Sequence, residues 1–192
     1  MEAFNYLTVM ASVVVGLGLT QLLAGIGNFV QIRRRVRFYW LHTGWVLLLI
    51  VLHLHMWWSF WVLREVTDWN YGTFAYVLIG PGLLVIASHL VIPEVLDGRI
   101  DVERHYYDTH TVFFGLLAAT GVWAMFLEPV TGVRTFVVPF RILQAFGTAT
   151  LLALAISGNK RFHAMATVLL AALITVAITL TRFRLGQLDL SV

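Results

Sequence analysis

Six long stretches of this sequence carry no Asp, Glu, Lys or Arg, and they restrict the fold more than any other feature. Each stretch reaches or nearly reaches the roughly 20 apolar residues that cross a bilayer core as a helix. In lipid, every backbone N–H and C=O must be bonded within the protein, which a helix achieves by itself. We therefore predict an all-α polytopic membrane protein, a bundle of six transmembrane helices with short loops. The charge-free stretches cover residues 3–32, 38–63, 69–93, 109–127, 142–159 and 162–181.

The six predicted spans fill most of the 192 residues, so we expect a single membrane domain and no soluble domain. The fifth span is predicted to begin before its charge-free stretch, which places Arg141 inside it. The first span has no basic segment before it and is too long for the apolar core of a signal peptide, so we expect it to remain in the mature protein. The spans cover approximately residues 4–31, 38–63, 71–93, 107–127, 135–157 and 162–181.

Composition excludes several classes of function. Only 12% of the residues are charged, against about 25% in a typical soluble domain. The absence of cysteine excludes disulfides, thiol catalysis and Cys-ligated metal centres. The Lys and Arg residues are too few and too scattered to follow the phosphates of a nucleic acid. No HExxH, GxSxG, Walker A or Rossmann glycine motif is present, which favours a protein that is not an enzyme. An intramembrane enzyme with His and carboxylate ligands stays open.

The short loops predict the orientation, because Lys and Arg accumulate in cytoplasmic loops. The loops after the first, third and fifth spans hold eight basic residues, and the opposite side holds four. We therefore predict an inner-membrane protein with both termini outside the cytoplasm, whose partners are the bilayer and either further copies of itself or other membrane proteins. The eight residues are Arg33, Arg34, Arg35, Arg37, Arg99, Arg104, Lys160 and Arg161, and the four are Arg64, Arg134, Arg182 and Arg184.

Small residues and a proline in the spans predict how the helices pack. Gly16, Thr20, Ala24 and Asn28 recur at every fourth position of the first span, which predicts a stripe that packs on another helix. In the third span, the glycine–proline–glycine sequence at 80–82 interrupts the hydrogen-bond ladder. It indicates either a kink at a helix contact or a broken helix that lines a substrate path.

Polar residues inside the spans are the main functional clues, because each is expensive to bury in lipid. Arg141 and Gln144 share one face of the predicted fifth span, with Glu128 across the short loop as a partner for the arginine. The second span contributes His53 and the first contributes Gln21. We predict a transport or conduction role, in which protons or a small ion pass along a path lined by these four side chains, with no cofactor required. They are His53, Arg141, Gln144 and Gln21.

Histidines give the alternative interpretation. His42, His89, His110 and His163 are predicted to lie at one depth, near the cytoplasmic ends of their spans. Neutral imidazoles from neighbouring helices ligate haem iron or divalent metals, so a redox protein with haem b or a divalent metal held by His42, His89 and His110 is the first alternative. A purely structural cluster, a proton relay and an accessory or sensor subunit of a membrane complex also stay open.

Overall fold

The computed structural model of the chain describes residues 2–94, 99–133 and 138–180. Within these ranges the chain forms seven α-helices, one 3₁₀ segment after the second helix (Phe60–Glu65) and one pair of two-residue parallel strands, β1 (Val36–Arg37) and β2 (Ile100–Asp101). The all-α prediction is therefore confirmed. The helices are α1 (Glu2–Gln31), α2 (Trp40–Ser59), α3 (Tyr71–Val91), α4 (Val102–Met125), α5 (Leu127–Thr131), α6 (Val138–Ile156) and α7 (Lys160–Leu180).

Four helical segments in the described part of the chain are long and apolar enough to cross a membrane, so the six predicted spans are shown only in part. The fourth predicted span falls on α4, whose first two turns carry Glu103, Arg104 and Asp108. The fifth predicted span falls on α6, whose apolar segment is shorter than the other four. Residues 135–137 of the fifth span and Thr181, the last residue of the sixth, lie outside the described residues. The four segments are Ala3–Gln31, Trp40–Glu65, Tyr71–Val91 and Lys160–Thr179.

The loops after α1, α3 and α6 meet at one end of the bundle. β1 pairs with β2, which joins the first loop to the third, and Lys160 Nζ donates to Glu103 Oε1 at 2.5 Å beside the loop after α6. We call this the basic end, because it carries the eight Lys and Arg residues that the sequence assigns to one side. Three of the four assigned to the opposite side, Arg134, Arg182 and Arg184, lie outside the described residues. The compartment that the basic end faces stays a prediction.

The six long helices close into a ring, in which α2 packs against more of the other long helices than its neighbours do. Around the ring, α1 contacts α3, α3 contacts α4, α4 contacts α6, α6 contacts α7, α7 contacts α2 and α2 contacts α1. Helix α2 also touches α3 and α4, so its buried side chains hold the centre of the core. They are Leu41, His42, Trp45, Val46, Leu49, His53 and Met56.

Three polar residues cap the starts of helices and explain where α3, α4 and α7 begin. The side chains of Asn70, Asp101 and Asn159 accept hydrogen bonds from backbone N–H groups in the first turns of these helices. Such caps satisfy N–H groups that have no partner within the helix. At Asp101, the N–H of Arg104 lowers the pKa of the carboxyl group, and the neighbouring Arg37 guanidinium adds to this effect.

The predicted stripe of small residues does not pack on a neighbouring helix of the bundle. Thr20, Ala24 and Asn28 are exposed, and a Cβ atom at Gly16 would meet nothing within 4 Å. Helix α1 turns a different face inward, because its large apolar side chains at Leu7 and Leu22 bury more surface than the stripe can. They are accompanied on that face by Ala11, Val15, Gly18 and Gly25.

Helix α3 runs unbroken through Pro81, so the broken-helix alternative is wrong and the proline lies at a close helix contact. Gly80 meets the face of the Trp123 indole from α4, where a Cβ atom would overlap the ring. The two helices are joined there by a pair of hydrogen bonds: Trp123 Nε1 donates to the Tyr76 carbonyl at 2.8 Å, and the Tyr76 hydroxyl donates to the Trp123 carbonyl at 2.7 Å. Proline has no N–H to donate, so it weakens the hydrogen-bond ladder of α3 at this point. The Trp123 indole donates to the carbonyl of Tyr76, just before the proline in the same helix.

We expect Gly80→Ala to lower the free energy of unfolding by about 1–3 kcal/mol, because the added methyl group must displace a buried indole. Gly82→Ala is the matched control, since a Cβ atom there meets nothing within 4 Å. Thermal unfolding of both variants in detergent, followed by circular dichroism, measures the difference. Equal stability of the two variants would contradict the close contact.

Candidate functional site at the histidine-rich end

Five ring side chains from the basic end form one cluster, of which Tyr106 and His163 are buried and the others half-buried. We call it the histidine–tyrosine network: Tyr39, Tyr106, Tyr107, His110 and His163. Tyr39 precedes α2, His163 lies one turn into α7, and the other three lie in the first turns of α4. The His163 ring is fully buried, and its centroid lies 5.4–5.6 Å from those of Tyr107, Tyr106 and His110.

Hydrogen bonds fix the proton positions at His163. Its Nε2 lies 2.5 Å from the Ser157 carbonyl oxygen, which accepts only, so Nε2 carries the hydrogen. In the neutral ring, Nδ1 is then an acceptor, and the Tyr106 hydroxyl donates to it at 2.8 Å. The tautomer follows from the hydrogen-bond pattern. The result is a directed chain, from the phenol through the imidazole to the carbonyl of the loop after α6.

The rest of the network also consists of phenol and imidazole groups, and they lie beside the bonded pair of Tyr106 and His163. The hydroxyl oxygens of Tyr39 and Tyr107 lie 3.0 Å apart. His110 donates from Nδ1 to the Tyr107 carbonyl at 2.5 Å, which leaves Nε2 as the acceptor nitrogen, 3.5 Å from Thr111 Oγ1. Phenols and imidazoles can both give and take a proton, so each member of the network is able to exchange one.

The network connects the surface of the basic end to the core. At the surface, the ion pair of Lys160 with Glu103 places the ammonium 5.7 Å from the Tyr107 ring centre. Towards the core, the Tyr106 hydroxyl interacts with the side chains of Thr167 and Trp45. Trp45 Nε1 also donates to Thr167 Oγ1 at 3.0 Å.

An apolar layer closes the network on its inner side. Between Tyr106 and Gly121, the buried side chains of α4 are Phe113, Phe114, Leu117 and Ala118. The Trp45 indole packs edge-on against both phenylalanines, with ring centroids 5.8 Å and 4.9 Å apart. The polar chain therefore ends about two turns inside the bundle.

Two more histidines cap the end of α3. His42 Nε2 lies 2.6 Å from the Val91 carbonyl oxygen, and His105 Nε2 lies 3.0 Å from the Leu90 carbonyl oxygen. Both carbonyls belong to the last turn of α3, which has no partners within the helix and carries the negative end of the helix dipole. The two imidazoles donate to these carbonyls and lie 6.3 Å apart between ring centroids.

The three predicted haem or metal ligands belong to different surroundings. His42 pairs with His105 and His110 pairs with His163, while His89 is exposed on α3. Within the described ranges, no group of three or more His, Asp or Glu side chains is arranged to hold a metal ion. A haem or metal site stays a prediction, which an absorption spectrum and elemental analysis of the purified protein would test.

The structure joins two of the four predicted path residues at the opposite end of the bundle. Arg141 forms an ion pair with Glu128, the partner that the sequence suggested. One turn further along α6, Gln144 donates from Nε2 to the Gly121 carbonyl at 3.4 Å, and its Oε1 is buried without a partner among the described residues. These groups lie between α4 and α6, so Arg141 and Gln144 form one polar site.

The other two predicted path residues lie elsewhere, one on α1 and one on α2. Gln21 is half-buried on α1. His53 is fully buried and donates from Nδ1 to the Leu49 carbonyl at 2.8 Å, so Nε2 is an acceptor, and it has no hydrogen-bond partner in the described chain. Nε2 occupies the space that a side chain would fill at Gly18. The imidazole fits here because Gly18 of α1 has no side chain.

Sequence reasoning missed most of the network. It began the fourth span at residue 107, whereas α4 begins at Val102 and so includes Tyr106, and it gave Tyr39, Tyr106 and Tyr107 no functional role. The order His105-Tyr106-Tyr107 with His110 at the start of a predicted span was the available indication. The contribution of His163 from α7 depends on the ring of helices and has no local signature.

No family model, curated protein or solved structure matches this chain.

We expect Gly18→Ala to lower the free energy of unfolding by about 1–3 kcal/mol, because the methyl group overlaps a buried imidazole. Gly16→Ala, two residues away with nothing within 4 Å of a Cβ atom, is the control. The same substitution in a His53→Ala background should be less destabilising, since the ring is gone. Detergent unfolding of the four variants measures this coupling, and a coupling of zero would contradict the contact.

Proposed function

We propose that this chain is an integral membrane protein with a transport or conduction role, and that the species it moves is the proton. The observation that carries the proposal is the directed chain from the Tyr106 hydroxyl through His163 to the Ser157 carbonyl. A buried imidazole that bonds a phenol hydroxyl at one nitrogen and a carbonyl at the other can take up a proton and release it again, which proton transfer within the bundle needs. Its membrane location is supported by four long apolar helices.

The proposed order of transfer follows neighbouring polar groups, some of which are joined by hydrogen bonds and others by ring contacts. A proton from the surface, near the Glu103 and Lys160 pair, reaches the hydroxyl pair of Tyr39 and Tyr107. The Tyr106 hydroxyl gives its proton to His163 Nδ1 and is reprotonated from the Tyr39–Tyr107 pair, whose ring centroids lie 5.5 Å and 5.0 Å from its own. The Nε2–H of His163 stays bonded to the Ser157 carbonyl, so the ring keeps its position. Histidine suits this step, because either of its ring nitrogens can carry a proton.

The polar site of Arg141 and Gln144 is the proposed opposite end of the path. It is separated from the network by the apolar layer of α4, which in this conformation is closed. Transfer across the bundle therefore requires water to enter the layer or the aromatic side chains to move. His53, at the contact of α2 with Gly18 of α1, and Gln21, on α1, stay proposed path residues. Assembly with further copies or other membrane proteins is part of the same proposal.

We expect Tyr106→Phe to reduce proton flux at least about tenfold, because it removes the hydroxyl that donates to His163 and keeps the ring. Flux is measured in liposomes that contain the purified protein and a pH-sensitive dye, with a potassium gradient and valinomycin as driving force. Tyr76→Phe is the matched control, since it removes a hydroxyl hydrogen bond outside the network.

Two outcomes would contradict the proposal. The first is wild-type flux no larger than that of protein-free liposomes between about pH 5 and pH 8, the range in which histidine titrates. The second is an equal loss of flux in Tyr106→Phe and Tyr76→Phe, which would assign the effect to general stability rather than to the network.

A further inference from the structure

Five arginines at the basic end are free of ion pairs in the part of the chain that the structure describes. All five are exposed, and they come from the first and third loops and from the start of α7. The single side-chain hydrogen bond that the structure gives them joins Arg33 to the Val30 carbonyl. They are Arg33, Arg34, Arg35, Arg99 and Arg161.

Three acidic residues of the same end are already occupied. Asp101 pairs with Arg37 at 3.2 Å, Asp108 with Arg104 at 3.6 Å and Glu103 with Lys160 at 2.5 Å. These pairs neutralise three of the eight basic residues. The five other arginines outnumber the two other carboxylates of these loops, Glu94 and Asp97, so the surface keeps a net positive charge; Asp97 lies outside the described residues. Glu94, which is exposed, is the remaining described carboxylate of these loops.

Exposed aromatic residues place this surface at the depth of lipid headgroups. Phe38 and Trp40, directly after the arginines of the first loop, are each 58% exposed. Aromatic side chains with this exposure at the start of a membrane helix are typical of the interface between hydrocarbon and water. Clusters of basic residues next to a membrane helix attract anionic lipids.

We propose that the basic end is a binding surface for the phosphate headgroups of anionic phospholipids in the adjoining leaflet. Guanidinium groups suit this ligand, since their planar donors match the oxygens of a phosphate. The three consecutive arginines of the first loop are the centre of the surface, and Arg99 and Arg161 extend it across the loops that the β1–β2 pair and the Lys160–Glu103 pair hold together. The inference rests on the membrane location and is independent of proton transfer.

The test compares two lipids with identical acyl chains, phosphatidylglycerol and phosphatidylcholine. Native mass spectrometry of the full chain in detergent should show preferential retention of phosphatidylglycerol. The triple variant Arg33→Gln, Arg34→Gln, Arg35→Gln should lower its affinity for phosphatidylglycerol by roughly a hundredfold, from the typical contribution of each basic residue near an anionic surface. Replacement of the same three residues by lysine should weaken binding much less, because the charge stays.

A second triple variant, Arg64→Gln, Arg182→Gln, Arg184→Gln, is the matched control, with the same loss of charge from the side that the sequence assigns to the opposite leaflet. It should keep the wild-type preference. Equal retention of both lipids by the wild-type protein, or equal losses in the two glutamine triples, would overturn the proposal. So would displacement of phosphatidylglycerol by inorganic phosphate at the same concentration, which would indicate a site for free phosphate. Proton flux does not enter any of these outcomes.

Discussion

The bond between an imidazole N–H and a backbone carbonyl is the interaction on which this structure depends. Five of the seven histidines donate one ring nitrogen to a main-chain oxygen: His42, His53, His105, His110 and His163. In an apolar bundle, an unbonded polar group is costly, so each of these bonds satisfies a ring nitrogen. The bonds of His42, His105 and His163 also satisfy carbonyls at or beyond the end of a helix. Each bond also fixes the tautomer, and the second nitrogen of each ring is then the only one left for other chemistry. At His163 that nitrogen receives the Tyr106 hydroxyl, whereas at His53 it faces a glycine.

Close contacts at glycines allow the helices to approach each other around these polar groups. The pairs Gly18 with His53, Gly80 with Trp123 and Gly121 with Thr148 lie at the contacts of α1 with α2, α3 with α4 and α4 with α6. Lipid supplies no hydrophobic drive for helix association, so packing must supply it, and small residues make the close approach that this needs. The sequence pointed to a different set of small residues on α1, because regular spacing does not reveal which face has a large side chain opposite it.

The features relevant to function collect at the basic end. The histidine–tyrosine network, the capped end of α3 and the free arginines all depend on the same connection of three loops by the β1–β2 pair and by the Lys160–Glu103 pair. A positive surface at this end would raise the local concentration of phosphate headgroups near Tyr107. The two proposals concern neighbouring groups, but they rest on different residues and are tested by different measurements.

Charge-free stretches alone determined the helical class and the positions of the four segments long enough to span a membrane, because the bilayer requires long apolar helices whatever their neighbours are. The ion pair of Arg141 with Glu128 was also accessible from sequence, since a short connection brings the two together. Tertiary structure decided which histidines meet. His110 and His163 are 53 positions apart, His42 pairs with His105 rather than with His89, and no local pattern encodes the order of helices around a ring. Spacing predicts the face of a residue on its own helix, whereas the partner of that face is set by the packing of all six long helices.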